Sequence, residues 1–151
     1  MIKWLFIIVI SCNTAHAADI YRIRELFEVA STQESKNNEL IELTKKYKLS
    51  QNPLYYAYHA AGIMSLANHT IWPFEKLNYF NKGKDMLEAA IKQDNSNIEI
   101  RFIRYSIQKN APSLLGYYEN MKTDRAYILK NINKSDWPES YKNKVKNNLS
   151  K

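Results

Sequence analysis

The chain of 151 residues contains few reactive side chains: three histidines, His16, His59 and His69, and one cysteine, Cys12. A zinc hydrolase of the common helical type needs two histidines one turn apart with a glutamate between them, and no H-E-x-x-H occurs. Neither a G-x-S-x-G nucleophile elbow nor a glycine-rich phosphate loop is present. The carboxylates stand mostly at helical spacing beside lysines. Glu88 and Lys92 form a favourable surface pair, Asp85 and Glu88 an unfavourable one, and nothing selects two carboxylates as acid and base. No catalytic residue, metal ligand set or cofactor is therefore assigned, and an enzyme would need a site assembled from scattered residues around a deep pocket.

Contact chemistry is better represented. Eleven tyrosines and three tryptophans are many for this length. Trp72, Tyr117 and Tyr118 border breaks between helices, where aromatic rings can stand as anchors for a partner. Arg101 and Arg104, with Tyr105 or Tyr117 nearby, combine the residue types that dominate interface energies. The competing reading makes the aromatic stripes core and places Arg101, Arg104 and Gln108 on the wet face of their helix.

The start of the chain carries an address. Met1-Ile2-Lys3 is a short basic segment, Trp4 to Ile10 is unbroken and apolar, and Ala15-His16-Ala17 is a small-x-small cleavage site. This layout predicts a secretory signal peptide over residues 1–17. The apolar run falls far short of the roughly 18 to 20 residues that cross a bilayer. Val9-Ile10-Ser11-Cys12 also resembles a lipobox, which makes lipidation at Cys12 the alternative. After cleavage at Ala17 no cysteine remains, and stability rests on packing alone.

Residues 18–151 are one domain's worth of chain. Three glycines and four prolines favour helices over a turn-rich β-sandwich. Residues 18–99 hold ten Lys and Arg against eleven Asp and Glu, whereas residues 100–151 hold eleven against four. That asymmetry marks either a solubilising face or a surface for an anionic membrane or polysaccharide. Nucleic acid is excluded by the export signal and the lack of a binding module.

The expected elements are all helical, six or seven in number and paired as antiparallel hairpins. Asp19 is read as the cap of a first helix ending near Thr32, with Ile20, Ile23, Leu26 and Phe27 on its stripe. A polar break from Gln33 to Asn37 precedes a second. Asn52-Pro53 is a start signal for a third through Leu66. Ile71-Trp72-Pro73-Phe74 opens a long fourth helix, in which Gly83 implies a close contact. Asn97 caps a fifth whose Ile100, Ile103 and Ile107 keep helical spacing despite a strand-like start. A further helix spans about Glu119 to Ile132. Residues 134–151 are expected to form a basic C-terminal helix or tail that frays, following a helical domain over 18–133.

Gly83, Leu87, Ala90 and Asn95 match the small, bulky, small and turn positions of the second helix of a tetratricopeptide repeat, and the chain resembles that family here. Ile100, Ile103 and Ile107 fall roughly where the next repeat's first helix carries its large residues. Arg104 departs from the pattern, standing where a small glycine is usual, and no second clean copy of the motif occurs. The segment Asn97 to Arg104, with Ser106-Ile107-Gln108 and Asn110-Ala111-Pro112, is similar to small exported helical proteins of Bacteroidota. That likeness covers roughly Pro53 to Ile132 and implies a tetratricopeptide-like fold and an envelope location, with no activity. The resulting expectation is a non-catalytic interaction module with a protein or peptide partner in the cell envelope, periplasmic or secreted. The alternative is a peripheral binder of anionic membrane or polysaccharide, anchored through Cys12.

Overall fold

A computed structural model describes residues 14–150, with side chains from Asp19 onward. The apolar run of the expected leader and Cys12 lie outside the described residues. Among the described residues the chain is all-α, with seven helices: α1 (Thr14–Val29), α2 (Glu34–Thr44), α3 (Pro53–Ser65), α4 (Pro73–Gln93), α5 (Ile98–Asn110), α6 (Met121–Asn131) and α7 (Glu139–Ser150). Three short 3-10 turns, Leu66–Asn68, Ser113–Leu115 and Ile132–Lys134, lie between helices. No helix among these residues is long and apolar enough to cross a membrane.

Local chemistry sets most of the boundaries. Asn52 accepts a hydrogen bond from the Tyr55 amide at 3.2 Å, and Pro53 follows at the first helical position. The Asn97 side chain accepts from the amides of Glu99 (3.1 Å) and Ile100 (3.2 Å), which resolves the strand-like start of α5 as helix. Two boundaries differ from expectation. Asp19 is not a cap, because Ala15, Ala17 and Ala18, the best helix formers, carry α1 upstream to Thr14. The polar stretch after Gln33 is already helical, and its Asn37 is fully buried in α2.

Packing follows chain order, as short connections between antiparallel neighbours dictate. Contacts join α1 to α2, α2 to α3, α3 to α4 and α5 to α6, and α3 also touches α1 and α5. The main core comes from α1 to α5, with Ile23, Leu26, Leu40, Tyr58, Leu87, Ile100 and Ile103 at its centre. A second core joins α5 to the C-terminal elements through Phe102, Tyr105, Ile128, Ile132, Trp137, Val145 and Leu149. Helix α5 thus feeds both cores. The last helix, expected to fray, buries Val145 and Leu149 completely or nearly so.

The tightest approach is between α3 and α4. A Cβ at Gly83 would lie 2.2 Å from Met64 Cγ, 2.6 Å from the Ala60 carbonyl oxygen and 2.8 Å from the Met64 amide nitrogen. Two of these neighbours are backbone, so they cannot swing away. In an exposed helix Gly→Ala would stabilise by up to about 1 kcal/mol. Here Gly83→Ala should instead cost about 2 kcal/mol by overpacking, read as a lower urea midpoint at unchanged slope. A stabilised Gly83→Ala protein would mean that the two helices do not touch.

Candidate functional site

Chemistry concentrates in two buried ionic networks, an exposed apolar edge at the start of α4, and two open clefts. The first network starts from Arg24, which lies on the apolar stripe of α1 rather than on its wet face. Its Nε donates to Glu99 Oε1 and its Nη2 to Glu99 Oε2, both at 2.7 Å, from α1 to α5. The Tyr58 hydroxyl on α3 donates to the same Oε1 at 2.5 Å. The guanidinium lies 4.2 Å from the ring centre of Tyr141 on α7 and 5.8 Å from that of Trp137. Four helices therefore meet on one ion pair whose side chains are nearly excluded from solvent.

The electrostatics hold the pair charged and the phenols neutral. Burial works against the Arg24 charge, but the hydrogen bonds and charge of Glu99 outweigh it and raise its pKa. Burial first, and then the Glu99 charge, push Tyr58 and Tyr141 well above the ordinary tyrosine value. Both hydroxyls consequently remain proton donors. Glu99 receives three donors, and Arg24 spends Nε and Nη2 on it, two of its five N–H groups. The network holds helices together.

The second network takes up three of the sequence-predicted contact residues, Arg101, Arg104 and Tyr117. Arg104 donates through Nε to Asp124 Oδ2 (2.7 Å), through Nη2 to Asp124 Oδ1 (2.9 Å) and through Nη1 to Glu88 Oε2 (2.8 Å). Arg101 adds a bond to Asp124 Oδ1 at 2.8 Å and another to the Asn95 carbonyl at 2.7 Å, with its guanidinium 4.3 Å from the ring centre of Tyr127. The expectation that Arg101, Arg104 and Gln108 face water is corrected. Arg104 and Gln108 are buried and Arg101 nearly so, because α6 brings the fully buried Asp124 onto that face. Tyr117 donates to Glu88 Oε1 at 2.5 Å and packs edge-on against Phe80, and burial followed by that bond raises its pKa. Tyr105 belongs to the second core. Trp72 and Tyr118 remain exposed, at 63% and 58%.

Trp72 does not stand alone. Ile71, Phe74 and Leu77 beside it are also exposed, at 81%, 75% and 46%. The segment is held rather than loose. Thr70 Oγ1 accepts from the Trp72 amide (3.3 Å) and donates to Glu75 Oε2 (2.6 Å), while His69 Nε2 donates to the Ala30 carbonyl (2.6 Å). Pro73 fixes the first turn of α4.

The basic last third is largely occupied internally. Besides Arg101 and Arg104, Lys109 and Arg125 donate to the carbonyls of Asn148 and Leu149 in the final turn of α7, where the helix dipole favours positive charge. Lys142 pairs with Glu139, and Lys144 with Glu28 on α1. Of the clefts, one lies over the Arg24 network and is bordered by Tyr21, Leu54 and Trp137. The other lies between the end of α2, α3 and α4, around His59 and Lys82. No group of three or more metal-binding side chains occurs among the described residues. No protein-family model matches the chain, and comparison with curated proteins and with solved structures gives no match.

Removing one member of the first network leaves the other charge buried and unpaired. Glu99→Gln should cost about 3 to 5 kcal/mol, as chemical denaturation would measure, whereas Glu139→Gln at the exposed end of a surface pair should leave the denaturation midpoint nearly unchanged. Equal small losses in both variants would show that the Arg24–Glu99 pair is solvated.

Proposed function

We propose that this chain is an exported, non-catalytic protein-protein interaction module of the cell envelope, with a tetratricopeptide-like arrangement of helices. The observation that carries the reading is the exposed apolar edge of Ile71, Trp72, Phe74 and Leu77. Four large apolar side chains exposed within one short segment are more than scattered surface hydrophobics, and a tryptophan among them supplies a large contact area with a polar handle. The neighbour pattern supports the repeat-like arrangement, since α3 contacts α1 and α5 as alternate helices of stacked hairpins do. Gly83 against Ala60 and Met64 supplies the close approach that the small repeat position serves. The alternative reading, attachment to anionic surfaces through the basic last third, is weakened by the internal partners of Arg101, Arg104, Lys109, Arg125 and Lys144.

The test is purification of the tagged protein from native envelope fractions, with its mature N-terminus sequenced and its companions quantified. The expected result is a start at Ala18 and a companion recovered in fixed proportion, lost in a Trp72→Ala/Phe74→Ala variant whose circular dichroism and thermal midpoint are unchanged. A companion retained by that variant would overturn the docking edge. An uncleaved chain found in the cytoplasm would overturn export.

A further inference from the structure

The cleft around His59 has a chemistry that the docking edge does not use, and none of its residues belongs to that edge. It is an open cleft of about 650 Å³. Three lysines, Lys45, Lys48 and Lys82, stand around it against one acid, Asp85, a formal excess of two positive charges. Lys45 is engaged by Glu42 at 2.5 Å, both side chains being exposed. Lys48 and Lys82 make no ion pair or hydrogen bond among the described residues, so their charges are available. The cleft also has an apolar wall, formed by Tyr47, Leu49, Tyr56 and Met86. Tyr47 is fixed there by its ring contact with Tyr55, 4.4 Å between centres.

His59 adds a proton-accepting group. Thr44 Oγ1 spends its hydrogen on the Leu40 carbonyl at 2.6 Å, so at 3.1 Å it accepts from His59 Nδ1. That assigns the ring proton to Nδ1 and leaves the Nε2 lone pair as an acceptor on a residue lining the cleft. Burial, and then the Lys82 charge, lower the His59 pKa, so the ring is neutral near neutral pH. An anion placed among the lysines reverses the Lys82 effect and favours proton uptake. The charged groups facing the ring are Lys45 and Lys48 from the end of α2 and Lys82 and Asp85 from α4.

We propose that this cleft binds a small phosphate monoester, its dianionic head at Lys48 and Lys82 and its apolar body against Tyr47, Tyr56, Leu49 and Met86. With Lys45 held by Glu42, Lys48 and Lys82 against Asp85 leave a net positive lining that attracts an anionic head, and the apolar wall favours an ester over free phosphate. The same head could belong to a soluble ester or to a phosphatidic acid headgroup.

Amide chemical shifts of the folded chain, titrated with phenyl phosphate and separately with inorganic phosphate, test this site. Phenyl phosphate should give saturable shifts centred on Tyr56, His59 and Met86, and inorganic phosphate should bind roughly tenfold or more weakly. Lys48→Ala/Lys82→Ala, both exposed, should weaken phenyl phosphate by about tenfold or more, whereas Lys122→Ala/Lys130→Ala on α6 should not. Vesicles containing phosphatidic acid, bound by the native chain and released by the same Lys48/Lys82 variant, would identify a lipid source. Binding of phenyl phosphate alone would identify a soluble one. Phenyl sulfate, whose charge is constant over the range, should bind more tightly as pH falls from about 7.5 to about 5.5, and His59→Gln should remove that rise. Non-saturable shifts, shifts centred elsewhere, or equal losses in the two lysine variants would overturn the proposal.

Discussion

One buried ion pair, Arg24 with Glu99, constrains the whole arrangement. A guanidinium on the inner stripe of α1 cannot be left without a partner, since an unpaired buried charge costs several kcal/mol. Its bidentate partner comes from α5, 75 residues later, the hydroxyl on that partner comes from α3, and the rings covering it come from α7 and the turn before it. A small shift of α1, α3 or α5 breaks a short charge-assisted bond, and a shift of α7 uncovers the guanidinium. The pair contributes little net stability over a well-packed apolar replacement, but it fixes one register.

That constraint explains why α5 is buried nearly all round. Its Ile100 and Ile103 serve the main core, Phe102 and Tyr105 serve the second, and Glu99 and Arg104 complete ionic contacts on opposite sides. The helix joins the four N-terminal helices to α6 and α7, and Arg24 reaches past it to Tyr141. With the interior thus committed, contact chemistry is left to the outer helices. The α4 edge and the cleft around His59 both depend on the close α3–α4 approach at Gly83.

What the sequence made legible was local. Asn52-Pro53, Asn97 and Gly83 each announced a boundary or a close contact through chemistry within a few residues, and the helices stand there. The reading of α5 failed for a physical reason: periodicity identifies one apolar face, and a helix packed on both sides needs buried charges whose partners lie far along the chain. Asp124, which buries Arg104, sits 20 residues away on a helix of weak amphipathic pattern. Arg24 did leave a signal, a charge at helical spacing from Ile20 and Phe27 on an otherwise apolar stripe. The exposure of Phe74 and Leu77 could not be read, because apolar side chains that start a helix look the same whether or not a neighbour covers them.

Native-state hydrogen exchange, resolved by residue, tests most directly whether the Arg24 network makes the domain one cooperative unit. The slowest amides of α1, α3, α5 and α7 should exchange through a single global opening with a common free energy. Amides of α7 that exchange through a separate, lower-energy opening while α1, α3 and α5 stay protected would contradict it.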